Sequence, residues 1–291
     1  MKNSLKSLAK RLLLPFNLTL PSSINGQRFR IPILRGIGAS NLRITELWMV
    51  DAISRLISLA PGTAFMDIGV NLGQTLLKLK SIDRNITYLG FEPNPFCVHY
   101  VQELIRVNGL PNCELIPSGL ADKSGLVAFI ADSEADTAGS IIGDLRPGKV
   151  QVRRQHIPVF AFDAIAEGLV PANLAVVKID VEGAELEVLT GMKQFLRERR
   201  PWVTCEVLHA HTEAQLPMLH ERNLQLIQLL AEVGYAPFRL LKDATQTRLV
   251  GLESIEAFGE GVWNPNTSPA FCDYLLVPTE AVDRTLQAFS R

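Results

Sequence analysis

The sequence is poor in the features that would name its chemistry outright. Its 291 residues include four cysteines, Cys97, Cys113, Cys205 and Cys272. No two of them form a C-x-x-C pair, so neither a zinc site nor a disulfide framework is indicated, and no metal is expected. Thr204-Cys205 and Phe271-Cys272 place thiols in apolar company, as befits buried free cysteine in a reducing, cytoplasmic setting. No apolar run approaches the length of a membrane-spanning helix. The Leu12-Leu13-Leu14 cluster is broken by Pro15 and Asn17, with no clean cleavage site after it, which argues against a signal peptide. Acidic residues are missing altogether before Glu46, whereas Lys2, Lys6, Lys10, Arg11, Arg28, Arg30, Arg35 and Arg43 precede it. With Leu5, Leu8 and Leu12 at helical spacing, that run reads either as a basic helix lying on the inner face of a membrane or meeting an acidic substrate, or as a solvated leader. The leader reading is preferred, and loss of residues 1–20 is expected to change activity little. A net charge of −1 gives no pull towards nucleic acid, and no such partner is expected.

A hydrophobic content of 47% with 20% charged residues fits one globular α/β domain with a sizeable core. Residues 1–60 read as an N-terminal extension whose one helical pattern, 46–59, places Leu47, Val50, Ile53, Leu56 and Ile57 on one face before Pro61-Gly62 stops it. From 61 to 291 the rhythm is that of a single larger domain. Strands are expected at 63–68, 86–91, 113–120, 174–179 and 202–208, with helices at 71–82, 95–107, 184–199 and 223–233. That alternation argues for βαβ units and a parallel sheet. Residues 126–131 and 150–160 read as strands joined by a polar loop at 132–148, and 235–240 with 271–277 as a closing antiparallel pair.

The segment Val176-Val177-Lys178-Ile179-Asp180-Val181-Glu182-Gly183-Ala184-Glu185 is the most telling. It starts as a core strand, turns acidic and opens a helix. Ionisable groups on a buried strand are too costly to be idle, and the carboxyl ends of such strands border the ligand crevice of an open α/β sheet. In Asp67-Ile68-Gly69-Val70-Asn71-Leu72-Gly73, the glycines allow a tight turn and close approach to a ligand. Asp67 would repel a pyrophosphate, and the spacing lacks G-x-G-x-x-G, which argues against a dinucleotide site. Glu92 closes the second strand in Gly90-Phe91-Glu92-Pro93, where a carboxylate can accept both hydroxyls of an adenosine ribose. Pro93 fixes the turn behind it. Asp122, after the third strand, is a weaker candidate for the adenine amine. Together these features point to S-adenosylmethionine, held by Asp67, Gly69, Asn71, Gly73, Glu92, Pro93, Asp122 and Asp180.

These motifs resemble those of the FkbM family of methyltransferases. The resemblance is carried by residues 66–73, Gly90-Phe91-Glu92-Pro93-Asn94-Pro95, Asn108, residues 177–185 with Leu189 and Gly191, and Cys205-Glu206. It covers roughly residues 63 to 210. Val70 stands where the family more often has alanine. The resemblance implies a class I methyltransferase fold, a Rossmann-like, doubly wound, mostly parallel seven-stranded sheet with a C-terminal antiparallel strand. It also implies O-methylation of a saccharide, glycolipid or natural-product hydroxyl, hence a small-molecule or glycan substrate.

Methyl transfer from a sulfonium is an in-line displacement that depends on alignment, and a hydroxyl acceptor gains from a base that takes its proton. Asp180 is expected to face the acceptor or the charged centre of the cofactor, and Glu182 to serve as base or to orient the hydroxyl. Glu185 suits a helix N-terminus. His209, with His211 beside it, is a further base candidate, since histidine titrates near working pH. Lys178 is expected to pair with Glu206 on the neighbouring strand. Two other classes compete: a nicotinamide-dependent oxidoreductase, which fits Glu92 but gives Asp67 no role, and a non-catalytic binding module, which leaves the costly acids unexplained.

Overall fold

The computed structural model describes residues 17–131, 153–264 and 266–290. The expected loop at 132–148 and the basic stretch 1–16 lie outside them. The chain begins with a hairpin of β1 (Asn17–Ile24) and β2 (Gln27–Leu34). Asn25 and Gly26 between them have φ of 46° and 76°. Positive φ at both turn residues is what a two-residue hairpin requires, and Asn-Gly supplies it with little strain. Helix α1 (Trp48–Leu59) follows, close to the expected 46–59, and buries Trp48, Ala52, Ile53 and Leu56.

The βαβ alternation then appears as β3 (Ala64–Ile68), α2 (Gln74–Ile82), β4 (Tyr88–Phe91), α3 (Pro95–Asn108) and β5 (Cys113–Ile116). The strand expected over 113–120 is divided. Its second half is β6 (Gly119–Leu120), which leaves the main sheet and pairs with β8 (Arg153–Phe160), itself antiparallel to β7 (Gly125–Ala131). After β9 (Leu174–Ile179) the helix expected over 184–199 is broken at Met192 into α4 (Glu185–Gly191) and α5 (Lys193–Arg199). Gly191 explains the tight seat of α4: a Cβ there would lie 2.0 Å from the carbonyl oxygen of Ala121, at the edge of the small sheet. The chain ends with β10 (Trp202–Glu206), α6 (Leu216–Val233), β11 (Tyr235–Lys242), β12 (Leu249–Ser254), β13 (Asp273–Pro278) and α7 (Val282–Phe289). Helix α6 starts before the expected 223, with proline in its first turn, where the missing N–H costs nothing.

The main sheet has the order β12-β11-β13-β10-β9-β3-β4-β5, eight strands rather than seven. The run from β10 to β5 is parallel, and β13 lies antiparallel between β10 and β11, as the closing pair predicted. The added member is β12, antiparallel on the outer edge. This is the doubly wound class I methyltransferase architecture. The order reverses beside β3, so the crevice rule puts the ligand at the carboxyl ends of β9, β3 and β4. One apolar cluster packs Phe65, Tyr88, Val176, Trp202 and Leu275 beneath α1, α2, α3 and the hairpin, and another packs Met66, Leu89, Val177 and Val203 beneath α4, α5 and α6.

The segment between hairpin and α1 reaches the turn after β3. Asn41 is fully buried, and its Nδ2 donates to the carbonyl of Leu72 at 2.7 Å and to Tyr100 Oη at 3.2 Å. Replacing Asn41 with alanine leaves that carbonyl buried and unpaired, so urea unfolding should show a loss of about 1–3 kcal/mol. Amide exchange of residues 69–73 should quicken more than that of the β10 strand.

Candidate functional site

The turn from β3 into α2 is built on left-handed backbone. Gly69, Asn71 and Gly73 have φ of 86°, 53° and 74°. The amide of Gly69 donates to the Phe91 carbonyl at 3.0 Å. A Cβ at Gly69 would stand 1.8 Å from the carbonyl oxygen of Asp180, so only glycine lets this turn lie against the end of β9. The amide of Asp180 completes the contact by donating to the Ile68 carbonyl at 3.0 Å.

Glu92 binds this turn to the next strand. Its Oε2 accepts the Asn71 amide at 2.7 Å and its Oε1 accepts the Asn94 amide at 2.7 Å. Each oxygen keeps a further lone pair. Burial pushes the Glu92 carboxyl up to about 7, against the pull of the two amides.

Beneath the turn lies a charged core. Lys178, 6% exposed, places Nζ 3.3 Å from Asp67 Oδ1, 3.2 Å from Asp180 Oδ2 and 3.0 Å from the Gly69 carbonyl, to which it donates. Lys178 and Asp67 are register partners on β9 and β3, which puts both side chains on one face. Asp67 is wholly buried and also accepts the Tyr88 hydroxyl at 2.8 Å. Burial opposes the Lys178 ammonium, but the Asp180 and Asp67 carboxylates outweigh it and hold its pKa above the ordinary lysine value. The expected Lys178–Glu206 pair is therefore corrected. Lys178 takes its partners from β3 and from its own strand end, and Glu206 instead comes level with Asp180 across the β9–β10 pairing.

These parts border a cavity that is partly open to solvent. Its lining runs across the strand ends, from Asp180, Val181, Glu182 and Ala184 after β9, through Ile68, Gly69 and Asn71, to Phe91, Glu92 and Pro93 after β4. Gly119 and Leu120 of β6, Phe129 of β7 and Val159 of β8 close it with an apolar wall. Of the candidates, Gly69, Asn71, Glu92, Pro93, Asp180 and Glu182 line the cavity. Asp67 and Gly73 support the turn from behind. Glu182 adopts φ of 58°, in the bend that turns β9 into α4. Asp122 opens on a separate polar depression with Glu187, Lys193 and Arg222. His209 lies past the end of β10, its ring centroid 6.3 Å from that of Trp263. Burial, with Arg239 nearby, holds its pKa below the ordinary histidine value. The amide of His211 donates to Gln215 Oε1 at 2.8 Å.

Sequence reading missed the wall of Phe129 and Val159 and the support from Tyr88 and Asn41. It also missed Lys242, which pairs with Asp273 at the far end of the same row of charges. Only the strand-like alternation near Phe129 could have hinted at the wall. Among the described residues no group of His, Cys, Asp or Glu is placed to hold a metal ion, and no helix is long and apolar enough to cross a membrane. All four thiols are free.

An acid whose folded pKa lies above its unfolded value stabilises the fold only while protonated. The contribution of Glu92 is complete below 4.5 and is lost as the pH rises through about 7. Glu185, which burial also pushes up to about 7, acts in the same sense. Unfolding free energy should fall from about pH 5 to about pH 8, and Glu92→Gln should flatten that fall. An unchanged pH slope in the variant would remove Glu92 from this account.

The sequence profile described as the methyltransferase FkbM domain matches residues 67–237, more than half of the chain. No curated protein matches by sequence. Among solved structures, the methyltransferase FkbM from Methylobacillus flagellatus KT is 15% identical, with a TM-score of 0.43 over 74% of this chain and 43% of that one. The chain thus spans less than half of that protein. A SAM-dependent methyltransferase from Aquifex aeolicus is 13% identical, with a TM-score of 0.42 over 82% and 92% of the two chains. Aeropyrum pernix fibrillarin is 11% identical, with a TM-score of 0.44 over 91% and 86%. With its domain match spanning β3 to β11, the chain belongs to the FkbM methyltransferase family.

Proposed function

We propose that the protein is an S-adenosylmethionine-dependent methyltransferase that methylates a hydroxyl group of a saccharide or related small molecule. The observation that carries this reading is the cavity at the carboxyl ends of β9, β3 and β4, with Glu92 on one side and Asp180 and Glu182 on the other. When bound, the cofactor supplies an electrophilic methyl group on a sulfonium centre. The residues present fit it: Glu92 retains lone pairs for ribose hydroxyls, and Leu120, Phe129 and Val159 offer an apolar slot for the base. The backbone of Gly69 and Asn71 allows close approach. Asp180 and Glu182 bring negative charge to the end nearest β9. Glu182 is the group we assign to the acceptor, to orient its hydroxyl and take its proton. Asp122 and His209 would contact only a ligand reaching beyond this cavity, His209 at the outer end of β10. Preference for oxygen over nitrogen rests on the family resemblance, as does the saccharide. Residues 61–291 are read as the catalytic unit and 1–60 as an N-terminal extension with one helix, whose Asn41 braces the turn after β3. A nicotinamide cofactor is disfavoured by the turn after β3, which lacks the G-x-G-x-x-G spacing and has the Asp180 carboxylate at the cavity beside it.

Calorimetry should detect S-adenosylmethionine binding, weakened at least about tenfold by Glu92→Ala. Absence of binding to the wild-type protein would overturn the reading. Mass spectrometry of glycans and lipids from cells with and without the protein should reveal the acceptor as a shift of one methyl group. On that acceptor, Glu182→Gln should lower kcat about a hundredfold with little change in cofactor affinity. An unchanged rate would take the base role from Glu182.

A further inference from the structure

Asp180 belongs to a longer row of ionisable groups on one face of the sheet. Asp67 and Lys178 are register partners, as are Glu206 and Asp273 on β10 and β13. Cys205 pairs with Ile179, so Glu206 comes level with Asp180 one step further on. Lys242 on β11 closes the row on Asp273 and donates also to the Pro269 carbonyl at 2.7 Å. Above the row, Lys78 of α2 pairs with Glu46 at 3.0 Å. Lys178 thus serves Asp67 and Asp180, and Lys242 serves Asp273. Among the described residues no cation is paired with Glu206, which lies between two carboxylates.

Four carboxyl groups facing two ammonium groups cannot all stay ionised in a half-buried row. Among the described residues Glu206 is the one without a cation, and the strand register sets its carboxyl beside that of Asp180, where two like charges are eased by one proton held between them. Burial, followed by the charges of Asp180, Asp273 and Glu182, pushes Glu206 well above the carboxylate range. Asp180 goes the other way: burial disfavours its charge, but Lys178 and the hydrogen bond from Glu206 outweigh that and leave it below its ordinary value. Burial also pushes Asp67 and Asp273 up, opposed in each by its lysine, Lys178 or Lys242, so with Glu206 protonated Asp180 is the member of the row held below its ordinary value and carries the negative charge. Asp180, 35% exposed, is the member that lines the cavity.

We propose that the Asp180–Glu206 pair is the charge reader of the cofactor site, its one shared proton leaving a single negative charge at the cavity that favours a sulfonium over a neutral thioether. This rests on the methyltransferase reading and extends it to how substrate and product cofactor are told apart. The charge is matched through the reaction. A bond forms between the acceptor oxygen and the methyl carbon, the carbon–sulfur bond breaks with its pair left on sulfur, and the hydroxyl proton passes to a carboxylate of the site. Positive charge leaves the sulfur as a proton enters Glu182, so the total negative charge of the site falls by one as its counter-charge goes, while the Asp180–Glu206 pair keeps its charge for the next sulfonium. Glu206 acts through Asp180 and is a positioning residue.

The test compares the affinities of S-adenosylmethionine and S-adenosylhomocysteine by calorimetry from about pH 6 to about pH 9. Glu92 faces the same ribose in both ligands, so its titration cancels in their ratio. In the wild type the ratio should favour S-adenosylmethionine, and it should rise further only where Glu206 loses its proton. Titrations in buffers of different ionisation enthalpy should then show a proton release on S-adenosylmethionine binding that S-adenosylhomocysteine lacks. Glu206→Gln, which keeps the hydrogen bond and cannot ionise, should hold the ratio near wild type at neutral pH and abolish its alkaline rise. The double variant Asp180→Asn with Glu206→Gln should lower the ratio at least about tenfold, the order left to one unit charge a few ångström away even when it is screened nearly as in bulk water. A wild-type ratio that does not favour S-adenosylmethionine overturns the proposal, as does an alkaline rise that survives Glu206→Gln. Those wild-type measurements decide the matter even if the double variant does not fold. Binding of neither ligand would overturn the cofactor reading and this proposal with it. Binding of both without discrimination overturns this proposal alone.

Discussion

The site depends on one buried ammonium group. Lys178 stands where β9 meets β3, and its three contacts join β3, the turn that leaves it and the acid at the end of β9. A lysine taken out of water needs such partners, and the partners need it: two carboxylates this close would not both stay ionised without it. The same contact holds the Gly69 carbonyl, which fixes the direction in which the turn presents its amides. Geometry and charge at the cavity are therefore set by one group, and neither can change alone.

From that point the structure divides its labour between two sheets. The large sheet supplies polar groups at its strand ends, in an order that follows from topology: Asp180, then the turn at Gly69, then Glu92. Among the described residues the small sheet supplies no charge to the cavity. It contributes Leu120, Phe129 and Val159, so one wall is apolar where the other is ionic. A ligand with a flat apolar part at one end and a cation at the other matches both. The N-terminal hairpin touches neither wall, yet its connection to α1 carries Asn41 to the back of the turn.

Much of this was legible in the sequence because it is local. The acidic end of β9, the glycine turn after β3 and the Glu92-Pro93 stop each announce a strand end by residue type alone, and strand ends are where an open sheet binds ligands. The alternation of apolar segments gave the parallel core. What escaped depends on pairing between distant segments. Lys178 had acids within reach on both neighbouring strands, and only the register of β3 against β9 chooses Asp67. The row continues to Asp273 and Lys242 because β13 slots in beside β10, which no local pattern states. Leu120 looked like the end of a main-sheet strand, since nothing in its residue type says that the chain crosses to a second sheet at Ser118. The hairpin was different. Ile24-Asn25-Gly26-Gln27 carried its signal openly, between strands weakened by Pro21 and two serines.

The seat of α4 against the small sheet has a geometric corollary. Gly191 lets the helix backbone come within van der Waals reach of the Ala121 carbonyl, and Ala121 continues directly from the Leu120 that lines the cavity. A single methyl group at position 191 would act as a wedge between the two layers, widening the slot from outside without touching anything in it. The aperture of this pocket is thus gauged by a missing side chain on the far side of its wall, where a change would be read as a difference in fit rather than as damage to the site.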